Sequence, residues 1–173
     1  WSKQYIDSET ETIDSMNSLI DWLPNNLPTE KRTGIVHGDY SLTNVMIGKN
    51  DPNVIAILDW ELSTLGDPCA DFNYHCLQYT MNPKLADKEY CKNQGIPVID
   101  DYVKMYSEKI EIDLTEEWDL YSAYNLFKLA GILQGILGRV RDGTAAHENA
   151  AERASGVRNL SDKAWDLVEK NFL

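Results

Sequence analysis

Apolar positions along this 173-residue chain follow two periods, and the longer segments follow the helical one. Ile13, Met16, Leu19, Ile20 and Leu23 recur three and four residues apart until Pro24. Ser8, with Glu11 three residues on, has the form of a capping box. Together they predict a helix over residues 8–23. Ile35 and Val36, residues 44–47 and residues 54–59 are short runs rich in β-branched side chains. The last two flank Gly48-Lys49-Asn50-Asp51-Pro52-Asn53, a string of turn formers, which predicts a small hairpin preceded by a loop.

Asp67 and Pro68 are suited to open a helix running toward Met81, where Asn82-Pro83 stops it. Pro97 opens a second segment in which Val98, Tyr102, Val103, Tyr106 and Ile110 share a face. From Thr115, with Glu116 and Glu117 in its first turn, a long run is apolar almost all round. It takes in Leu120, Tyr124, Leu126, Phe127, Leu129, Ala130, Ile132, Leu133, Ile136, Leu137 and Val140. Such a helix is buried, and Gly131, Gly135 and Gly138 would let neighbours approach it closely. Arg139 and Arg141 suit its C-terminal end and Gly143 its cap. A last helix is predicted over residues 145–171, with Ala150, Ala154, Val157, Leu160, Ala164, Trp165 and Val168 facing inward. With no repeat or low-complexity tract, residues 1–173 read as a single α+β unit, mostly helical, with one small β-hairpin.

Charge narrows the partners. Lys and Arg total 16 against 28 Asp and Glu, a net −12, the wrong sign for a protein that grips nucleic acid through its phosphates. No apolar run approaches the ~20 residues of a membrane-spanning helix. Cys69, Cys76 and Cys91 form no C-x-x-C pair, which fits a reducing compartment and predicts a cytoplasmic setting, an organelle being left open. The start at Trp1, without Met or a signal-peptide pattern, reads as part of something longer.

The chemistry concentrates in Val36-His37-Gly38-Asp39-Tyr40-Ser41-Leu42-Thr43-Asn44 and Ile57-Leu58-Asp59-Trp60-Glu61. An Asp and an Asn five residues apart, on a loop that returns into a strand, followed by an Asp after the next strand, can converge on one point. In phosphoryl transfer a loop Asp orients the hydroxyl nucleophile, while a loop Asn and a post-strand Asp hold Mg²⁺ on the nucleotide phosphates. Asp39, Asn44 and Asp59 match that order.

The motif His-Gly-Asp-x-x-x-x-Asn, then Ile-Leu-Asp-Trp-Glu, then Gly66-Asp67-Pro68-x-x-Asp71 resembles the aminoglycoside phosphotransferase and choline kinase superfamily, which is protein-kinase-like in fold. Trp1-Ser2-Lys3-Gln4-Tyr5, the 58–65 run, Asn93-Gln94-Gly95-Ile96-Pro97 and residues 127–135 extend the likeness. They resemble the phosphotransferase domain of acyl-CoA dehydrogenase family members ten and eleven and stand-alone bacterial relatives. The resemblance implies the C-terminal lobe of such an enzyme. It implies Mg²⁺ and ATP, with GTP left open, and a small-molecule alcohol as acceptor, a hydroxyacyl-CoA ahead of an aminoglycoside or choline. It also implies fusion to or cooperation with an acyl-CoA dehydrogenase. Residue by residue, it implies Asp39 as the base, Asn44 and Asp59 as holders of Mg²⁺ and nucleotide, His37 as a brace of the loop, and Asp71 as a second brace from the following helix. A noncatalytic kinase-like binding domain and a magnesium-dependent phosphohydrolase are the competing classes.

Two departures qualify the resemblance. Relatives commonly carry a basic residue two positions after the base, where this chain has Ser41. No Gly-rich strand-turn-strand or strand Lys precedes residue 37, so the nucleotide-clamp lobe is expected to lie outside this chain, which alone would be feeble in catalysis. Glu61 reads as a solvated acid, His75 and His147 as lone histidines, and most Tyr and Trp residues as packing. Residues 100–119 hold eight acids against two lysines, which would attract a cationic acceptor but equally reads as a solvated helix face. Lys128, Arg139, Arg141, Arg153 and Arg158 outnumber the acids of residues 121–159. They would suit the phosphates of CoA, or serve as helix-end and surface charges.

Overall fold

Helix begins earlier than the periodicity predicts and breaks where it predicts continuity. The structure, a computed structural model, describes residues 1–27 and 32–173. Two helices, α1 (Ser2–Ser8) and α2 (Asp14–Trp22), replace the single helix expected over residues 8–23, and Pro24 sits in a 3₁₀ turn, Leu23–Asn25. Ser8 closes a helix instead of opening one: its hydroxyl donates back to the carbonyls of Gln4 (2.6 Å) and Tyr5 (3.2 Å), a use of Ser that competes with capping. Glu9 then turns extended, and Ile13, itself extended and fully buried, leads into α2 without a side-chain cap.

The chain forms two compact units, one of Trp1–Pro28 and Ser122–Leu173, the other of Thr29–Tyr121. In the first, α8 (Trp118–Arg141) supplies the central element from residue 122 onward. Ala123, Leu126, Phe127, Ala130 and Gln134 are buried and Leu129, Ile132, Leu133, Ile136 and Leu137 half-buried, as the all-round apolar pattern predicts. Its glycines receive α1. A Cβ on Gly135 would stand 2.7 Å from Gln4 Nε2, and one on Gly138 would stand 2.6 Å from Ser8 Cβ. Gln134 Nε2 donates to Ser8 O (2.7 Å) and Thr10 Oγ1 (3.0 Å), fixing the break after α1. The helix ends in a Schellman motif: Gly143 takes φ +71°, its N–H donates to Val140 O (3.1 Å), and Thr144 N–H to Arg139 O (2.8 Å).

The helix expected over residues 145–171 is also two, α9 (Ala150–Arg153) and α10 (Val157–Phe172). Ser155 Oγ bonds back to Glu152 O (2.8 Å), and Gly156, at ψ −1°, separates the two. Helix α10 packs on α2: Leu160, Ala164 and Val168 meet a layer of Met16, Leu19 and Leu23, all buried. Ser15 Oγ bonds Ser161 Oγ (2.9 Å) and Asp162 Oδ1 (2.7 Å) across that seam. Trp165 is half-buried and donates to Glu169 Oε1 (2.9 Å).

The second unit carries the loop of interest. Strands β2 (Val45–Ile47) and β3 (Val54–Ile57) form the expected antiparallel hairpin, with an irregularity between Met46 and Ile47. A second antiparallel pair joins β1 (Gly34–Val36) to β4 (Thr64–Gly66), in the register Ile35 opposite Leu65. The run from Asp67 is α3 (Cys69–Cys76) and α4 (Gln78–Met81), followed by the short α5 (Pro83–Ala86) and α6 (Lys88–Asn93) and by α7 (Ile99–Ile110). Asp67 does cap α3, its Oδ1 accepting from Cys69 N–H (2.9 Å), and Asn82 caps α5. Cys69, Phe72, Cys76, Val103, Leu114 and Tyr121 form the core of this unit. Phe72 stacks on Tyr106 at 3.7 Å and 10°, with Tyr102 and Trp118 tilted around it, so the aromatic residues read as packing do pack. The three cysteines are free and buried, and burial pushes the Cys69 and Cys76 thiols up to about 12, which leaves them inert. No described helix is long and apolar enough to cross a membrane.

Candidate active site

The loop between β1 and β2 is held from three directions. Gly38 makes its first bend at φ +85°, where a Cβ would lie 2.5 Å from Leu62 O, so no other residue fits. The two carboxylate oxygens of Asp71, in the first turn of α3, accept from consecutive backbone amides: Oδ2 from His37 N–H and Oδ1 from Gly38 N–H (3.0 Å). His37 is buried beneath the loop at 3% exposure. Its Nδ1 accepts from Asp39 N–H (3.2 Å), which places the ring proton on Nε2, and Nε2 donates to Leu58 O (2.7 Å). One imidazole thus ties Asp39 itself to the residue before Asp59. Trp60 packs against that ring at 4.7 Å, its indole N–H donating to Ile57 O (2.8 Å).

The third hold is Asn44, which closes a 3₁₀ turn, Leu42–Asn44, before β2. Its Nδ2 donates to the carbonyl (2.9 Å) and to Oδ2 (3.0 Å) of Asp39. Its own carbonyl accepts from Leu58 N–H (2.8 Å), which brings the end of β3 alongside. Asp59 follows in the left-handed region, φ 66° and ψ 55°, a backbone that Asp tolerates better than most residues but still at a cost of ~1–2 kcal/mol. Asp39 and Asn44 are half-buried and Asp59 is exposed.

Asp39, Asn44, His37 and Asp71 therefore meet directly, and Asp59 joins them through the Leu58 backbone. With Asn44 Nδ2 committed to Asp39, the amide Oδ1 faces no donor among the described residues, and neither does the Asp59 carboxylate. That donor set fits Mg²⁺, which takes hard oxygens and needs only one or two carboxylates when phosphates and water complete its shell. Among the described residues no cluster of three His, Cys, Asp or Glu could hold a metal by itself. Ser41 shares a hydrogen bond with Thr43 Oγ1 (2.7 Å), so that position carries no cation. Glu61 is exposed in the turn after Asp59, and His147 is exposed before α9. His75 stands near the loop, 5.6 Å from the Tyr40 ring and 3.3 Å from Tyr102 Oη. Burial holds its pKa below the ordinary value, so the ring is neutral.

Residues 1–124 match the model of the phosphotransferase enzyme family. The chain belongs to that family. It is 38% identical over 98% of its length to mouse acyl-CoA dehydrogenase family member 10 and 32% identical over 99% to human acyl-CoA dehydrogenase family member 11. It spans only 16% and 23% of those two proteins. A solved structure, of a candidate aminoglycoside phosphotransferase from Ralstonia eutropha JMP134, superposes on the whole chain with a TM-score of 0.91 at 42% identity. The match takes up 54% of that protein. The kinase-like, mostly helical fold expected from the motifs is thereby established.

One residue of this phosphotransferase site escaped the sequence reading. Tyr74 on α3 feels the Asp39 carboxylate: burial first, and then that carboxylate's charge, push its phenol well above the ordinary value. Its spacing, three residues after Asp71, was the available signal, because a helix puts both on one face.

Proposed function

We propose that this chain carries the catalytic loop and metal-holding half of an ATP-dependent phosphotransferase acting on an alcohol. The observation that carries the reading is the Asp39 carboxylate held on a braced loop by Asn44, with Asp59 following the Leu58 N–H that bonds the Asn44 carbonyl. Asp39 orients the acceptor hydroxyl and takes its proton as the new O–P bond forms; the bond from the terminal phosphorus to ADP breaks, and ADP leaves with the electron pair. Asn44 and Asp59 would hold Mg²⁺, whose charge offsets that of the phosphates when bound. His37 and Asp71 keep the loop rigid, so that orientation costs nothing at the moment of reaction. The residues that clamp the nucleotide base lie, in this reading, in a lobe outside this chain.

A hydroxyacyl-CoA is the favoured acceptor, supported by the acyl-CoA dehydrogenase relatives, and fusion to or cooperation with such a dehydrogenase goes with it. The Ralstonia protein's name supports an aminoglycoside as the second reading. The test is ADP release by the full-length protein with Mg-ATP and a hydroxyacyl-CoA thioester, an aminoglycoside or choline. Asp39→Asn is expected to lower turnover by several orders of magnitude with folding intact, and near-normal turnover sinks the assignment. Asp59→Ala is expected to weaken Mg-ATP binding; an unchanged titration refutes its metal role.

A further inference from the structure

We propose that an open cleft between α1 and the C-terminal end of α8 takes the adenosine 3′,5′-bisphosphate end of a CoA thioester, with Arg139 as its phosphate anchor. As the handle of the acceptor, this rests on the hydroxyacyl-CoA reading above. The cleft, of about 650 Å³, lies wholly within the first unit, and its walls carry Trp1, Lys3, Asp7, Arg139, Arg141 and Asp142. Its volume falls in the ordinary range of small-molecule sites.

Charge points to an anion. Lys3 pairs with Asp7 (2.5 Å) and Arg141 with Asp142 (2.8 Å), so each carboxylate of the cleft is already met by a cation. Arg139 is left over, since none of the described residues offers its guanidinium an acceptor. The helix end does not need it either: the carbonyls of Gly138, Arg139 and Val140 accept from the amides of Asp142, Thr144 and Gly143. The cleft is thus net positive in a chain of net charge −12, and a planar fork of N–H donors suits a phosphate.

The spacing of its parts points to a nucleotide. Trp1, 37% exposed, stands over Gly131, where a Cβ would lie 3.8 Å from Trp1 Cβ. Arg139 folds back over Gly135, where a Cβ would lie 3.9 Å from its Nη1. Positions 131, 135 and 139 form one row along α8, so indole and guanidinium share a helix face, with their two glycines roughly 6 Å apart along the axis. That is the separation of an adenine stacked on the indole from a phosphate of its own ribose on the fork.

Titration of the full-length protein with adenosine 3′,5′-bisphosphate is expected to show saturable binding that weakens as salt is raised. Arg139→Gln, at an exposed side chain, is expected to weaken it ~10- to 100-fold with the melting midpoint unmoved, and Trp1→Ala ~10-fold. Equal binding by the parent and Arg139→Gln overturns the site. Inorganic phosphate bound as tightly as the bisphosphate shows an unspecific anion site, and ADP bound as tightly shows a site blind to the 3′-phosphate; either overturns the CoA assignment. In turnover with Mg-ATP, Arg139→Gln is expected to raise KM for a hydroxyacyl-CoA ~10- to 100-fold without moving KM for ATP. The two readings fail separately. Turnover with an unmoved KM for the thioester strikes the cleft and leaves the acceptor, whereas bisphosphate held by Arg139 with no turnover of any hydroxyacyl-CoA strikes the acceptor and leaves the cleft.

Discussion

Replacing Asp71 separates the bracing of the loop from the rest of the fold. One carboxylate accepts from two adjacent amides, those of His37 and Gly38, in residues that are both buried. A hydrogen bond to a charged acceptor contributes ~1.5–3 kcal/mol, and a buried amide stripped of its acceptor loses a comparable amount. Asp71 is only half-buried, which lets water recover part of the loss. Asp71→Ala is therefore expected to cost ~3–4 kcal/mol. Asp71→Asn keeps one carbonyl oxygen for one amide and turns an NH₂ group toward the other, at ~2–3 kcal/mol. Either is a large part of the ~5–15 kcal/mol that holds a domain folded. The assay is urea unfolding of the full-length protein, with amide exchange at His37 and Gly38 as the local readout. Losses below ~0.5 kcal/mol in both variants, or unchanged exchange at the two amides, refute the bracing argument.

Gly138→Ala is expected to lower stability by ~1 kcal/mol. The new Cβ meets Ser8 Cβ at 2.6 Å and Ser8 backbone atoms at 3.1 and 3.2 Å, and the ~1–3 kcal/mol of overpacking exceeds the ~1 kcal/mol that Ala contributes to a helix. A raised unfolding midpoint would count against the close approach of α1 and α8. His75 has a folded pKa below its unfolded value, so the protein keeps its full stability above about pH 6.5 and loses some as the pH falls below that, because the unfolded chain takes up the proton first. His75→Phe is expected to flatten the decline in melting temperature between pH 7 and pH 5; identical slopes refute it. Ile35 and Leu65 face each other across β1 and β4 at 68% and 73% exposure, an exposed apolar pair. In the 173-residue chain studied alone, Ile35→Thr with Leu65→Thr is expected to reduce self-association in sedimentation, and an unchanged profile refutes the pair as its cause.

The parts legible in the sequence were those whose signal is local. The hairpin announces itself through six turn formers between two β-branched runs, and α8 through apolar residues on every side. The order Asp39, Asn44, Asp59 marks the site because a loop returning into a strand brings residues five apart together. What stayed hidden depends on tertiary partners. Strand β4 is only Thr64-Leu65-Gly66, and nothing in three residues points to a partner at Gly34–Val36. Ser8 reads as a cap whether it opens or closes a helix, and the closing role is decided by its bonds back to Gln4 and Tyr5. The division at Ser155-Gly156 is set by one small polar residue whose hydroxyl prefers the preceding turn. Tyr74 passed as core because a Tyr on a helix usually is.

The left-handed backbone at Asp59 sets folding and activity against each other at one position. Glycine would relieve the conformational cost, and Asn would sit there about as easily as Asp; both remove the carboxylate proposed for the metal. A library selected for heat resistance alone is expected to accumulate Gly at residue 59, and on the proposed metal role it would lose turnover without any warning from its melting curve. Position 59 is therefore the one to hold fixed when the rest of the chain is stabilised.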